Sequence, residues 1–276
     1  MKLDAHQHFW KFDPVRDAWI SDAMSVLRRD FLPTDLEPVF QENGIDGCVA
    51  VQADQSDTET EFLLDLARKY PFIKAVVGWI DIRSKALPER LDRLAGHTRL
   101  KGFRHILQGE KPEFMLQPDF IRGIHTLGKR GFTYDILVFP RHLNAVASFL
   151  KINDNQPFII DHLAKPYIKQ GKIKQWSKDL RAIARHEQVY CKLSGMVTEA
   201  DWTAWKPSDM TPYLEVALEA FGPRRLVYGS DWPVCLLAGS YKKQMDLVTL
   251  FIQQLSPSEQ AQIMGQNALH FYRIES

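Results

Sequence analysis

The chain has 276 residues, a formal net charge of +1, 45 % hydrophobic residues and 25 % charged residues. That balance excludes a disordered chain, and it gives no electrostatic case for nucleic acid or a membrane surface as a partner. No apolar run reaches the length of a membrane span. No basic segment followed by an apolar stretch opens the chain, so no signal peptide is expected. The three cysteines, Cys48, Cys191 and Cys235, are odd in number and far apart. This argues against a disulfide framework or a thiolate zinc cluster and predicts a reducing, cytoplasmic setting.

Short apolar runs recur along the chain. In order they read "KLDAH", "GCVAVQA", "KAVVGWID", "LKGFRHI", "GFTYDILV", "PFIIDHL", "VYCKLSG" and "RLVYGSDWP". They are rich in Val, Ile, Phe and Tyr, and several are apolar on both parities, as strands covered on both faces should be. Helical periodicity lies between them. "TETEFLLDLARKY" follows the second run, "PRHLNAVASFLK" follows the fifth and "TPYLEVALEAFG" precedes the eighth. Strand starts recur about every 30 residues, the size of a βα unit. Eight such units in about 250 residues predict an α/β protein with a single (β/α)8 TIM-barrel domain over residues 1–276. A doubly wound open sheet is the runner-up, but no Gly-rich fingerprint follows the first strand.

Two connections are long. Residues 9–33 carry Trp10, Trp19 and Arg28-Arg29, and residues 195–212 carry Trp202, Trp205, Pro207 and Pro212. Both follow strands, where barrels keep their binding loops, so their aromatics are expected to wall or cover a pocket.

Polar residues at strand ends are the candidates for chemistry. Side chains alternate along a strand, so His6 and His8 should share a side, with Asp4 beside them. Two converging imidazoles suit a divalent metal, although an H-x-H pair also arises from one satisfied core histidine and one exposed one. Arg104 and His105 end "KGFRH", His162 ends "FIIDH", Lys192 lies in "CKLSG" and Asp231 ends "LVYGSD". Ionisable groups after at least five of eight strands predict convergence on one mouth. A structural ion-pair network at the barrel end would give the same pattern.

Taken together, "DAHQHFW", "WI…LRRDFLPTDL", "GFRH", "DHLAKP", "CKLSG" and "YGSDWPV" resemble the amidohydrolase superfamily, and within it the sugar-lactonase branch of L-fuconolactonase and L-rhamnono-lactonase-type hydrolases. The resemblance runs from residue 4 to about residue 237. It implies that His6 and His8 match the H-x-H closing the first strand, that His162 matches the sixth-strand histidine and that Asp231 matches the eighth-strand aspartate. The chain departs from the fuller pattern. "YDILVF" offers Tyr134 and Asp135 but no fifth-strand histidine, and the fourth strand offers no bridging lysine. At most one metal ion is therefore expected. His6 and His8 either hold one divalent ion, zinc by ligand type, or grip a substrate oxygen with no metal.

The implied activity is opening of a sugar aldonolactone, such as L-fuconolactone, to the free acid. Asp231 is the expected general base, with protonated Asp231 or His162 able to return a proton to the leaving oxygen. Positive charge on the oxyanion would come from a metal or from Arg104, His105 and Lys192. Gln52, Asp81, Tyr134 and Lys192 are the candidate substrate contacts. Two rival readings remain: a metal-dependent decarboxylase of an aromatic or muconate-type acid, and a non-catalytic sugar-binding barrel. The expected partner is a small lactone, and the sequence leaves the oligomeric state open.

Overall fold

The eight apolar runs form eight strands: β1 (Leu3–Gln7), β2 (Gly47–Val51), β3 (Ile73–Gly78), β4 (Leu100–His105), β5 (Thr133–Ile136), β6 (Phe158–Ile160), β7 (Val189–Leu193) and β8 (Leu226–Tyr228). They are seen in a computed structural model that describes residues 1–275. Neighbours in sequence are neighbours in the sheet, and each pairs in parallel with the next. The two edges meet beyond the last strand. His8 N donates to Trp232 O at 2.7 Å, and Asp231 N donates to His6 O at 2.8 Å. The result is the expected (β/α)8 barrel.

The outer layer consists of α1 (Pro33–Asn43), α2 (Asp57–Lys69), α3 (Leu87–Leu94), α4 (Pro118–Lys129), α5 (Leu143–Ile152), α6 (Lys174–Ala184), α7 (Met196–Glu199), α8 (Pro207–Phe221), α9 (Tyr241–Ile252), α10 (Pro257–Ala261) and α11 (Asn267–Phe271). Helix α2 shows why such stretches are helical. Ser56 caps it by accepting from Glu59 N, acids occupy its first turn and Arg68 and Lys69 its last, as the helix dipole favours. Its Leu63, Leu64, Leu66 and Ala67 are buried, and each buried leucine contributes roughly 1.5–3 kcal/mol. The connection read as a loop over 195–212 is shorter than expected. α8 begins at Pro207, a first-turn position where the missing N–H costs nothing, and Pro212 sits inside the helix. None of these helices is long and apolar enough to cross a membrane.

Pairing register sets which side chains enter the barrel. Phe103, Tyr134, Phe158 and Val189 are register partners across β4–β7 and pack on the helices. The adjacent row, Arg104, Asp135 and Ile159, faces the interior. Leu3, Ala5, Val49, Val51, Ala75, Val77, Ile159 and Val227 fill the lower interior, and Ala268, Phe271 and Tyr272 form its floor.

Candidate active site

The site lies at the C-terminal ends of the strands, above that apolar layer. In β1 the register shifts between Asp4 and Gln7, and this shift divides the polar residues of the strand. Asp4 turns towards the helices, where Oδ2 accepts from Tyr241 Oη at 3.1 Å and Oδ1 from Ser230 N at 2.9 Å. It therefore does not join His6 and His8, contrary to simple alternation. His6 turns inward, and His8 follows just past the strand end.

The imidazoles are held by their Nδ1 atoms. His8 Nδ1 lies 2.8 Å from Val51 O, which can only accept, so the proton is on Nδ1 and Nε2 is bare. His6 Nδ1 faces the Asp161 carboxylate at 3.3 Å. With the proton there, His6 Nε2 is bare as well. The two Nε2 atoms are 3.2 Å apart, and Asp231 Oδ1 lies 3.4 Å from that of His8 and 3.9 Å from that of His6. Arg104 Nη1 faces His6 Nε2 from one side, at 3.2 Å; on the other side two lone pairs and a carboxylate oxygen at such range repel unless a cation lies among them. This donor set, whose ligand atoms lie within 4.8 Å of one another, fits a divalent metal. Burial holds both His6 and His162 well below the ordinary histidine value, so they are neutral, as ligation requires. Burial raises Asp231, but His162 and Lys165 beside it offset this, and the carboxyl lies below its ordinary value.

His162 reaches the site by an unusual backbone path. His162, Leu163, Ala164 and Lys165 all have positive φ, at 54°, 53°, 59° and 50°, a conformation that costs roughly 1–3 kcal/mol per residue. The turn aims His162 Nε2 at Asp231 Oδ1, 3.8 Å away, while Nδ1 contacts Ser194 Oγ at 2.8 Å. Asp231 is also left-handed, at φ 59°. Two glycines admit these groups. A Cβ on Gly195 would stand 2.5 Å from His162 Nδ1, and one on Gly229 would stand 2.7 Å from His6 Cβ.

Four expected site residues lie elsewhere or act differently. Tyr134 belongs to the helix-facing row, against Phe120 and Phe158. His105 shares the outward parity. It stacks on Phe114 at 5.2 Å and faces Glu110 at 3.5 Å, away from His6. Asp81 is exposed in a turn, accepting from Arg83 N. Lys192 is inside the barrel but fully buried below His6, bound to Asp135 and Asp161. With no exposed surface there, it cannot reach a substrate. Arg104 is 3 % exposed, donates to Asp161 Oδ2 at 3.0 Å and to the carbonyl of Gln52, and approaches His6 Nε2 at 3.2 Å. The amide of Gln52 donates back to Arg104 O at 3.2 Å.

The loop aromatics divide too. Trp10 and Trp205 are buried and donate their indole N–H to backbone carbonyls. Trp202 does line a cleft of about 540 Å³ at the rim, with Tyr167, Lys169, Thr198, Glu199 and Asp201. Glu199 there pairs with Lys165 at 2.7 Å.

The sequence reading missed Asp161, Asp135 and Ser194. A parity signal for the first two was present: each lies two residues along from, or in register with, an interior apolar position.

A parallel eight-stranded barrel with inward histidines after β1 and β6 and an aspartate after β8 defines an amidohydrolase-type site. The chain belongs to the amidohydrolase family, whose profile matches residues 3–274. It is 41 % identical over 286 residues to an L-fucono-1,5-lactonase of Burkholderia multivorans, covering 99 % of this chain and 96 % of that protein. An L-fucono-1,5-lactonase of Burkholderia ambifaria is 35 % identical, with the same shares covered. A crystal structure of an amidohydrolase from Burkholderia multivorans with bound zinc superposes with a TM-score of 0.97 at 40 % identity, covering all of both chains.

Proposed function

We propose that this protein hydrolyses a sugar aldonolactone of the L-fucono-1,5-lactone type to the open acid. The observation that carries this is the convergence of two bare imidazole nitrogens with Asp231, in a chain similar over its full length to two L-fucono-1,5-lactonases. His6, His8 and Asp231 would hold one divalent ion, with zinc the best match to the nitrogen-rich set. When bound, such an ion polarises an ester carbonyl and makes water more acidic.

The chain's own groups do the rest. Asp231 is ionised and accepts the proton of the attacking water. The water oxygen bonds to the carbonyl carbon, the ring C–O bond breaks, and the proton on Asp231 passes to the departing ring oxygen. His162, neutral and beside Asp231, orients that carboxylate. Arg104 offsets negative charge gathering near His6 from within the barrel wall.

Aldonolactones presented with a pH indicator, with and without chelator, test this reading. L-Fucono-1,5-lactone should release acid at a rate set by enzyme concentration, and chelation should slow it. Failure to open any aldonolactone, together with release of carbon dioxide from an aromatic acid, would replace the lactonase reading with the decarboxylase one.

A further inference from the structure

Beneath His6, charged groups occupy the barrel axis. Lys192 Nζ lies 2.6 Å from Asp135 Oδ2, 3.0 Å from Asp161 Oδ1 and 3.2 Å from His6 Nδ1. Tyr272, just past α11, donates its hydroxyl to the same Asp135 Oδ2 at 2.8 Å. The Lys192 ammonium also stands 5.6 Å from the centroid of the Tyr272 ring. All five residues are fully buried. The C-terminal segment that carries Tyr272 is fastened to the barrel floor, where Asn267 Nδ2 donates to Pro223 O and Leu226 O at 2.7 Å.

Two groups compete for His6 Nδ1. Asp161 Oδ1 accepts, so it needs the proton on Nδ1. Lys192 has three donors and no acceptor, so it needs Nδ1 bare. The outcome decides the upper face of the ring. A proton on Nδ1 leaves Nε2 free to act as a donor atom beside His8 and Asp231. A proton on Nε2 removes that donor. Arg104 Nη1, which can only donate, lies 3.2 Å from Nε2 and also favours a bare Nε2. The position of the ammonium sets how strongly Lys192 opposes that arrangement, and Asp135 and Tyr272 hold it from below.

We propose that Asp135 and Tyr272 are positioning residues, which hold Lys192 down so that Asp161 accepts from His6 Nδ1–H and His6 Nε2 faces the mouth as a lone pair. They touch neither substrate nor ligand atoms and act through Lys192. Only the zinc readout of the test rests on the metal reading given above.

The test uses the full chain and two variants, Asp135→Asn and Tyr272→Phe. Ring nitrogen-15 spectra of the chelated protein report the His6 tautomer, and competition with a chromophoric chelator reports zinc affinity. The parent should show the Nδ1–H form. Asp135→Asn frees the ammonium and should move His6 towards Nε2–H, with zinc affinity falling about 10–100-fold, as when partners behind a ligand histidine are lost. Tyr272→Phe keeps the ring and loses one donor, so it should shift both readouts in the same direction by about threefold. Should Asp135→Asn fail to fold, Tyr272→Phe decides alone. If folded variants keep the parent's tautomer and its zinc affinity within twofold, the proposal is overturned, even if they melt earlier. If the parent takes up no zinc but the tautomer shifts as stated, the positioning role stands and the metal reading falls.

Discussion

On the side of the mouth built by β1, β6 and β8, His6, His8, His162 and Asp231 meet below the surface with their ring nitrogens and carboxylate facing one another. On the side built by β3 and β4, Asp81 and His105 also follow strands, yet they face the rim and pair with Arg83 and Glu110. Both sides carry polar residues at strand C-termini, so strand-end placement alone does not create a site. The difference is made by the backbone. A register shift in β1 and left-handed residues after β6 and β8 turn side chains inward, whereas regular alternation within β4 leaves His105 on the outward parity.

The largest test of that contrast is Asp231→Asn. Shape and hydrogen bonding persist but the proposed base is lost, so lactone turnover should fall about 10²–10⁴-fold with little change in KM. Near-normal turnover would remove Asp231 from the mechanism. The backbone explanation is tested at Gly195, where φ is +61° and a Cβ would stand 2.5 Å from His162 Nδ1. Gly195→Ala should displace the imidazole and lower kcat about 10–100-fold, since a shift of about 1 Å can cost that much. An alanine variant with parent kcat would show that the position of His162 is not critical.

The pH dependence of stability separates the two sides next. Burial places the folded values of His6 and His162 well below 6.5. As pH falls through that value, the unfolded chain takes up protons that the folded chain refuses. Stability of the chelated protein should therefore be full above pH 6.5 and decline in acid, by about 1.4 kcal/mol per pH unit for each ring. Urea midpoints at pH 7.5 and 5.5 measure the slope. His162→Asn should remove about half of it. His105 is lowered by burial too, but Glu110 opposes the shift, so His105→Gln should trim the slope less. The smallest expected effect is on turnover at the rim: His105→Gln and Asp81→Asn should each change kcat/KM less than about threefold. A loss of a hundredfold at either position would bring the β3–β4 side into the chemistry.

The strands and their parallel order were legible because buried strands are written as dense apolar runs with little ambiguity. The H-x-H pair, His162 and Asp231 were legible as polar interruptions of such runs. What was not legible was direction. In "FRH" and "YDI" two neighbouring polar groups compete for one inward position, and Arg104 and Asp135 take it while His105 and Tyr134 face out. Counting parity from the alanines and valines of the interior layer selects Asp135 and Lys192. It does not foresee a register shift, so Asp4 was misplaced. The connection over 195–212 was read as running to Pro212, although the helix already opens at Pro207.

The hydrogen bonds that shut the sheet, His8 N to Trp232 O and Asp231 N to His6 O, join residues from opposite ends of the chain and are made by the site residues themselves. The binding centre is therefore absent from any shorter N-terminal fragment, however well its first seven units are paired. During synthesis, the last candidate ligand, Asp231, follows all seven earlier strands, so ligand capture can only follow the arrival of β8. Ligand then binds the finished barrel and none of its precursors, which makes loading a late event that draws the closing step of folding forward.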